Sequence, residues 1–475
     1  MNPARSQHLH FPAEKGDRSA KCRLRALNPD TLTSVCKYLK VNDIKKLSRI
    51  NEDFRDVLYQ NLMHKRTIIS DGCIDPEIFH LFGSRITKLK FKGDQKDFYE
   101  LLEQVLEICS GDQFKVLEFD LFCWESDDSL RESISELINQ AKRHFQNVES
   151  LTIIGEETND DPDMGSDILS TMQGLFDRSK KLRKLKLDNI NNGTHHLLHW
   201  NRLQYIDELH LDHVNGINNE EFNQYFQRSP KLQHFYCFPP KDLDEIGDTF
   251  IESTKDNLRA LHGLNADNSY DFIEKFRNLK EITIYSFEES GDDLDYPISI
   301  LTKQDAIEKL NIHQHINHNA SPNSDSSDDT KMSPIIGYLS KLKTIEFTCS
   351  NCSCPNCGGP RENEPLGFLV ENGKKLLFNV ETIILNKHTP YLSNLIRNTP
   401  NLKVLVIWSS DIMDGNQMIA DIKTITEQRE TKDYVEIVVN RNQFAAFKYI
   451  EGYEKWFKLT ARRDDNVLTK YVRVV

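Results

Sequence analysis

A short pattern of apolar residues recurs along most of the chain: one apolar residue, two variable residues, a second apolar residue, one variable residue and a third apolar residue. Alternation of apolar and variable positions predicts a short strand with one buried face. The twelve copies are Ile86/Leu89/Phe91, Phe114/Leu117/Phe119, Val148/Leu151/Ile153, Leu182/Leu185/Leu187, Ile206/Leu209/Leu211, Leu232/Phe235/Cys237, Leu258/Leu261/Leu264, Leu279/Ile282/Ile284, Ile307/Leu310/Ile312, Leu342/Ile345/Phe347, Val380/Ile383/Leu385 and Leu402/Leu405/Ile407. The copy that starts at Leu258 has one extra residue before its third apolar position. We therefore predict twelve strands between residues 86 and 407.

The segments between these strands have helical spacing. Apolar residues three or four positions apart predict helices, and they occur at Phe98/Leu101/Leu102/Val105/Leu106, Leu130/Ile134/Leu137, Leu169/Met172/Leu175 and Tyr391/Leu392/Leu395. The copies lie about 29 residues apart on average, which is a leucine-rich-repeat period, although the asparagine typical of such repeats is mostly missing. One strand–helix unit cannot bury its apolar side, whereas stacked units can. The predicted fold is α/β, a leucine-rich-repeat solenoid of about twelve strand–helix units; the alternative is an ordinary α/β domain with several βα units.

Length and composition agree with a repeat array. The chain has 475 residues, 38% of them hydrophobic and 28% charged, and a mean hydropathy of -0.57. Single hydrophobic cores stop growing at roughly 250 to 300 residues, so this length favours several domains or a repeat array. No stretch approaches the ~18 apolar residues of a membrane span, and the start MNPARSQHLHFPAEKGD has no apolar signal core. We expect a protein of the cytoplasm or nucleus that binds no membrane, with its ten cysteines reduced.

Charge is unevenly distributed along the chain. Residues 1–66 carry 14 Lys and Arg against 7 Asp and Glu, although the whole chain has a net charge of -13. The remaining body is therefore acidic, which argues against nucleic-acid binding because such binding depends on Lys and Arg that neutralise phosphates. Residues 1–20 have few apolar side chains and are predicted to be a disordered tail. The basic segment that follows could contact an acidic protein.

Residues 27–58 predict three short helices. Asn28 is a good N-cap, Pro29 suits the first helical position and Asp30 favours the positive end of the helix dipole. Further helix starts at 42–43 and 51–53 lead into apolar residues at helical spacing. Fewer than ~40 residues rarely bury enough surface to be stable alone. We therefore expect this head to share apolar side chains with a neighbouring segment or with a partner.

The head resembles the F-box proteins, in which a helical N-terminal motif precedes a substrate-recruiting domain. The matching positions are Leu27, Asp30, Leu32, Val35, Tyr38, Leu39, Asp43, Ile44, Leu47, Ile50, Phe54 and Leu58. The sequence departs from the family at Asn28, where proline is usual and instead follows at Pro29, and it lacks the tryptophan often found near the end of the motif. With the repeats behind this head, the chain is similar to the F-box and leucine-rich-repeat subgroup.

The resemblance implies a non-catalytic substrate receptor of a Skp–cullin–F-box ubiquitin ligase. The head would dock on the Skp adaptor, and through it on the cullin–RING assembly, while the solenoid holds a protein substrate for ubiquitination and proteasomal degradation. The adaptor-binding residues implied are Leu27, Pro29, Leu32, Val35, Tyr38, Leu39, Ile44, Leu47, Ile50, Phe54 and Leu58. Two alternatives remain open: the head only caps the first repeat, or the whole chain is a protein-interaction scaffold with no ubiquitin role.

The strand positions that alternate with the buried residues form the candidate recognition surface, because side chains of a strand point alternately to its two faces. Large aromatic residues exposed on such a face usually indicate a binding site. The substrate-binding candidates are Lys88, Lys90, His210, His234, Tyr236, Phe238, Tyr285 and Trp408. The alternative is that loops or the C-terminal segment cover several of them.

Two insertions interrupt the repeats. The segment near 314–334 is polar and predicts a surface loop, and the segment 349–365 opens with four cysteines at a spacing that suits paired metal-binding turns. Either a structural zinc or a mobile thiol-rich loop explains Cys349, Cys352, Cys354 and Cys357. We expect no other cofactor, since no catalytic or phosphate-binding motif is present; an enzyme that uses the cysteines is a third hypothesis. The predicted domains are a tail (1–20), an F-box-like head (21–68), the solenoid (69–430) and a C-terminal cap (431–475).

Overall fold

The structure of the protein is a computed structural model. It describes residues 29–36, 39, 41–49, 55–57, 67–71, 76–109, 111–122, 124, 128–141, 143–156, 164–190, 203–214, 219–229, 231–265, 271–286, 306–314, 339–349, 377–385, 392–407, 435–440 and 457–462. The chain divides into two compact units, which are described separately. The first comprises Met1–Glu149 and Arg178–Lys181, and the second comprises Ser150–Asp177 and Leu182–Val475.

The first unit contains the head helices and three described strands that pair in parallel. The helices are α1 (Pro29–Cys36), α2 (Val41–Ser48), α3 (Pro76–Phe82), α4 (Gln95–Ile108) and α5 (Asp128–Gln140). The strands, in pairing order, are β1 (Thr67–Asp71), β2 (Lys88–Gly93) and β3 (Val116–Leu121). Helix α4 begins where the Asp94 side chain accepts a hydrogen bond of 2.8 Å from the main-chain N–H of Asp97, because an N-cap satisfies a donor that the first turn leaves unpaired. Of the third predicted head helix, residues 55–57 are described, and they are helical.

The second unit contains twelve described strands in a parallel sheet whose order is the order of the chain. The strands are β4 (Ser150–Ile154), β5 (Lys184–Asp188), β6 (Glu208–Asp212), β7 (His234–Asp242), β8 (Ala260–Asn265), β9 (Glu281–Ser286), β10 (Lys309–Gln314), β11 (Thr344–Cys349), β12 (Thr382–Leu385), β13 (Val404–Ile407), β14 (Val435–Asn440) and β15 (Phe457–Arg462). Its helices are α6 (Met164–Arg178), α7 (Asn219–Arg228), α8 (Leu243–Thr254) and α9 (Leu392–Asn398). Short 3-10 helices lie between β5 and β6 (Leu203–Tyr205) and between β8 and β9 (Asp271–Lys275). Sequential parallel order is the arrangement expected for stacked strand-first repeats.

All twelve predicted strands are present, and their first apolar positions form the core. From Ile86 to Leu402, each of these first residues is at most 1% exposed. The predicted strand pattern is therefore confirmed. The predicted helices around Leu101, Ile134, Met172 and Leu395 are confirmed as α4, α5, α6 and α9.

The C-terminal region continues the sheet. Strand β14 pairs in parallel with β13, and β15 pairs in parallel with β14. These two strands thus extend the same sheet within the segment 431–475, which the sequence analysis predicts as a C-terminal cap. Among the residues that the structure describes, no helix combines the length and the apolar character needed to cross a bilayer.

Asparagine side chains link successive repeats at a position that the sequence analysis did not identify. Each of these asparagines directly precedes the first apolar residue of its strand pattern, and its side-chain N–H donates to a main-chain carbonyl of the preceding repeat. The four pairs are Asn147 to Asp112 (2.6 Å), Asn278 to Asp256 (2.7 Å), Asn379 to Ser340 (3.0 Å) and Asn401 to Phe378 (2.7 Å). These amides give main-chain carbonyls of the preceding repeat a hydrogen-bond partner. They form an amide ladder at a position other than the asparagine position typical of leucine-rich repeats.

Strand β7 and strand β8 pair irregularly, at the copy that the sequence marks with an extra residue. The register shifts between Tyr236, which pairs with His262, and Lys241, which pairs with Leu264. Gly263 lies at the shift with φ of 90°, in the left-handed region that favours glycine. The pairing is regular up to Tyr236 and His262, so the shift begins directly after His262.

Candidate functional site

One side of head helix α2 faces the interior of the first unit. Ile44 is 0% exposed and Ser48 is 4% exposed, one helical turn apart. The ammonium group of Lys45 lies 2.8 Å from one carboxylate oxygen of Glu77 in α3, and the Arg49 guanidinium donates to the other oxygen, from Nε at 2.6 Å. Hydrogen bonds from Arg49 and then from Lys45 lower the pKa of Glu77 to about 2. Two cations of the basic head are therefore used within the protein.

The described part of the head offers fewer partner-facing residues than the resemblance implies. Ile44 is part of the protein's own interior, because α2 turns the side that carries Ile44 and Ser48 inward. Leu39 and Leu47 are half-buried and retain surface for a partner. Pro29, Leu32 and Val35 lie in α1, but the structure does not describe their side chains. Outside the described residues lie Leu27, Tyr38, Ile50, Phe54 and Leu58.

Two lysines of the first unit lie against carboxylates of the next strand. The ammonium group of Lys90 lies 2.5 Å from a carboxylate oxygen of Glu118, its register partner on β3. Lys92 pairs with Asp120 in the same way, at 3.3 Å. Lys88 is half-buried and lies opposite Val116. Lys90 therefore faces a carboxylate at the matching strand position, where opposite charges attract each other.

The open face of the second unit, defined as the half-exposed side of strands β5 to β11, repeats this charge matching. Lys184 lies 2.5 Å from Glu208, and Lys186 lies 2.9 Å from Asp188 and 3.5 Å from Asp212. The ammonium group of Lys309 bridges Glu281 at 2.6 Å and Glu346 at 3.1 Å. Burial would lower the pKa of Lys186 and of Lys309, but their carboxylate partners outweigh it and raise both. Lys184, Lys186 and Lys309 thus each lie against at least one carboxylate of the sheet.

Three rings stack across the open face on neighbouring strands. The rings of His210 and Tyr236 are 3.9 Å apart with planes 12° from parallel, and those of Tyr236 and His262 are 4.2 Å apart with planes 6° from parallel. The register places these three residues directly opposite one another. The two histidine rings cover both faces of the Tyr236 ring, so the stack leaves the edge of this ring for a partner. Burial raises the pKa of Tyr236, so its hydroxyl stays protonated.

Glu208 anchors the first ring of the stack. Its carboxylate lies 2.6 Å from Nε2 of His210 and also accepts a hydrogen bond from Lys184. The contact with His210, followed by that with Lys184, lowers the pKa of Glu208 to about 2, against the opposing effect of burial. Burial lowers the pKa of His210 despite this carboxylate. The imidazole is therefore neutral at neutral pH and fixed by one hydrogen bond.

The last ring of the stack lies deep in a polar cluster. His262 is 6% exposed and Thr283 is 7% exposed, although both belong to the open face. Nδ1 of His262 contacts the Thr283 hydroxyl, and the side-chain N–H of Asn311 donates to Thr283 at 3.2 Å and to Nδ1 of His262 at 3.3 Å. Burial, followed by the positive charge of Lys309, lowers the pKa of His262 to about 3. We call His262 and Thr283 the floor of the open face.

An aromatic group continues the face beyond the stack. The ring of Phe238 meets the edge of His213 at 5.0 Å between ring centres, and it lies 5.8 Å from the ring of His313. Four substrate-binding candidates, His210, His234, Tyr236 and Phe238, thus fall on two adjacent strands. Tyr285 belongs to β9, but its side chain is not described, and Trp408 lies outside the described residues. Glu208, Thr283 and Asn311 were missed, since they become neighbours of these residues only through the register.

The metal prediction concerns residues that the structure mostly leaves undescribed. Cys349 ends β11 without a described side chain, and Cys352, Cys354 and Cys357 lie outside the described residues. Zinc at this cluster stays a prediction. Among the described residues, Asp188, Asp212 and His213 are close enough to hold an ion. The Lys186 ammonium already occupies the space between the two carboxylates, so a metal there would meet a like charge.

Comparisons with known proteins give only distant likenesses. No family model matches the sequence, and no curated protein matches it. The structure is similar to that of yeast Rad7 in its complex with Elc1, with 14% sequence identity and a TM-score of 0.38 over 89% of this chain and 90% of that chain. It is also similar to the leucine-rich-repeat protein LIC12759 of Leptospira interrogans, with 11% identity and a TM-score of 0.32 over 83% and 88% of the two chains. At these values neither likeness adds to what the strand register establishes.

Proposed function

We propose that the chain is the substrate-recognition subunit of a Skp–cullin–F-box ubiquitin ligase and binds a protein on its open face. The observation that supports binding is the ring stack with its polar floor, displayed by consecutive strands of one hydrogen-bonded sheet. A rigid sheet loses little conformational freedom when a partner binds, and aromatic residues are enriched where binding energy concentrates. Support for the ubiquitin link comes from the F-box-like pattern of the head.

The proposed receptor performs no chemistry itself. The head would hold the Skp adaptor and the open face would hold the substrate, so that a ubiquitin-loaded enzyme in the same assembly attacks a substrate lysine at high effective concentration. This role belongs to the cytoplasm or nucleus. On the described part of the head, the surface left for the adaptor includes Leu39 and Leu47, since Ile44 is buried.

A second function, a protein-interaction scaffold without a ubiquitin role, is favoured by the contacts of α2. Lys45 and Arg49 both pair with Glu77, and Ile44 lies inside the first unit. These are the contacts expected of a helix that only caps a repeat array. Binding to the Skp adaptor therefore distinguishes the two functions.

The experiment measures binding of the full chain to purified Skp adaptor by calorimetry. The test variant is Leu39→Asp combined with Leu47→Asp, and the matched control is Ser34→Asp combined with Asn42→Asp, which adds the same two charges at exposed positions of α1 and α2. We expect the native chain and the control to bind and the test variant to lose binding at least tenfold, with unchanged thermal unfolding. Failure of the native chain to bind would leave the scaffold function.

The substrate is sought by proximity labelling in cells with the proteasome inhibited. The comparison is between the native chain and Tyr236→Asp, which places a charge in the middle of the ring stack. Proteins labelled by the native chain and depleted with the variant are the expected substrates. Identical labelling by both chains would exclude the open face as the binding surface.

A further inference from the structure

Phe378 is exposed on the turn that leads into β12. Its side chain is 52% exposed, and within the described part of the chain it is one of two large apolar residues, with Phe122, that face the solvent. The turns that precede β11, β12 and β13 lie side by side, because these strands pair in that order. We call residues 339–343, 377–381 and 399–403 the entry edge. Phe378 lies on the middle turn of the three.

The amide ladder fixes the turn of Phe378 from both sides. The side-chain N–H of Asn401 donates to the main-chain carbonyl of Phe378 at 2.7 Å, and the side-chain N–H of Asn379 donates to that of Ser340 at 3.0 Å. The preceding residue, Leu377, is 0% exposed and anchors the turn in the core. A side chain on a fixed turn loses little conformational freedom when a partner binds. Aromatic residues are also enriched in the cores of protein–protein interfaces.

The lysines around the entry edge outnumber the carboxylates that can pair with them. Two carboxylates are taken by exposed lysines, in the pairs Lys280 with Glu308 at 2.7 Å and Lys403 with Glu381 at 2.9 Å. The hydrogen bond from Lys280 lowers the pKa of Glu308, and the charges of Lys343 and Lys341 add to this effect. Glu308 therefore has three lysines around it and pairs with one of them. Lys341 and Lys343 are exposed, and no carboxylate of the described residues lies within ion-pair distance of either.

The order of the charges favours a protein segment over a nucleic acid as the ligand of this excess charge. Main-chain hydrogen bonds place Glu308, Lys343, Glu381 and Lys403 on consecutive turns, in that order. A nucleic acid carries a phosphate on every nucleotide, so its backbone would meet the two carboxylates as well as the lysines. A protein segment can place a carboxylate beside Lys343 and an uncharged residue beside Glu381.

The spacing of the turns sets the length of that segment. Neighbouring strands lie roughly 4.8 Å apart, and an extended chain advances roughly 3.3 Å per residue. An apolar residue over Phe378 and a carboxylate on the adjacent turn are therefore about two to four residues apart in the ligand, once the reach of a lysine side chain is included. We propose that the entry edge binds a short acidic segment of a protein partner, with an apolar side chain packed on Phe378 and carboxylates bound by Lys341 and Lys343. The inference does not rest on the proposed function, because it concerns neither the head nor the open face.

The probe is a phage-displayed library of random twelve-residue peptides. The library is first depleted on the double variant Lys341→Glu with Lys343→Glu, which removes peptides that bind other surfaces, and is then selected on the immobilised native full-length chain. We expect the selected peptides to share an aromatic or aliphatic residue and an Asp or Glu at the predicted separation. Peptides without that combination, or no enrichment above the support alone, would overturn the proposal.

Fluorescence anisotropy with one synthetic selected peptide measures the two contacts separately. The double lysine variant should weaken binding at least tenfold, and Phe378→Ala at least threefold. The charge-matched control is Lys180→Glu with Lys181→Glu, which makes the same changes at two exposed lysines of the turn before β5. The control for the ring is the other exposed phenylalanine, in the variant Phe122→Ala. Both controls should bind the peptide within twofold of the native chain.

Thermal unfolding of each variant shows that the protein remains folded. A peptide whose acids are replaced by lysine should bind the double lysine variant better than the native chain, because the reversed charges again attract each other, and added salt should weaken the native complex. An effect of only one of the two variants would overturn the combined contact. A labelled single-stranded oligonucleotide that binds more tightly than the peptide, and is lost with the lysine variant but not with Phe378→Ala, would overturn the protein segment in favour of a nucleic acid.

Discussion

Replacing Gly263 by alanine tests whether the irregular pairing of β7 and β8 is a close backbone contact that only glycine permits. Gly263 has a φ of 90°, and a Cβ atom built on it would lie 1.6 Å from the main-chain oxygen of Cys237. Real Cβ atoms essentially never approach another atom closer than 3.0 Å, so the two strands would have to separate by about 1.4 Å. Because the neighbour is backbone rather than a flexible side chain, a rotamer change cannot relieve the clash.

The magnitude follows from two separate costs. A left-handed conformation costs a residue with a Cβ about 1 to 2 kcal/mol, and forcing extra atoms into a packed site costs about 1 to 3 kcal/mol more. We therefore expect Gly263→Ala to lower the free energy of unfolding by roughly 2 to 5 kcal/mol. The shift also moves His262 away from Tyr236, so the ring stack should be lost with it.

Substitutions at two other glycines measure the conformational cost and the steric cost separately. Gly111 has a φ of 81°, but its Cβ would meet nothing closer than 3.4 Å, so Gly111→Ala carries only the conformational cost. Gly155 has no positive φ, but its Cβ would lie 2.4 Å from the main-chain oxygen of Asn189, so Gly155→Ala carries a clash alone. Urea unfolding gives the free energies, and hydrogen exchange of the β7 and β8 amides gives the local effect. Equal losses for Gly263→Ala and Gly111→Ala, or normal exchange protection in β7 and β8, would refute the reasoning.

Three further predictions concern the core, the amide ladder and pH. Phe250→Ala removes a fully buried ring whose centre lies 4.5 Å from that of Phe226, and it should lower the free energy of unfolding in urea by about 3 to 5 kcal/mol. The control is Phe378→Ala, because this side chain is 52% exposed, and it should change the free energy by less than ~0.5 kcal/mol. Asn401→Ala should cost about 1 kcal/mol and Asn401→Asp at least as much, since a carboxylate would face the Phe378 carbonyl; an unchanged urea midpoint for both would exclude the ladder as a source of stability. The pKa of Glu208 falls from 4.5 to about 2 on folding, so the ionised carboxylate stabilises the folded protein fully above pH 4.5, and this contribution is lost as the pH falls toward 2. Glu208→Gln should therefore reduce the change of the melting temperature between pH 4.5 and pH 2. A pH dependence equal to that of the native protein would contradict the assignment.

The strands could be predicted from the sequence because their signal is local. Residues such as Leu185 and Leu187 are two positions apart, and a strand turns both to the same face whatever the rest of the chain does. The extra residue before Leu264 was also readable, and it marks the register shift. The asparagine ladder was not predicted, because Asn147 and its acceptor at Asp112 become neighbours only when two repeats stack.

The chemistry of the open face depends on register, which the sequence does not contain. His210, Tyr236 and His262 are 26 residues apart along the chain, and a shift of one residue in either pairing would move a ring to the buried face. A shift of one residue between β5 and β6 would break the contact of Lys184 with Glu208. A single sequence therefore identified aromatic and charged candidates strand by strand, but not which of them neutralise or stack on one another.

Charge matching on the open face has a consequence for specificity. Lys184, Lys186 and Lys309 are paired with carboxylates of neighbouring strands, so a charged partner would have to break a contact of about equal strength to gain one. Discrimination between partners on this sheet should therefore not arise mainly at these charged side chains.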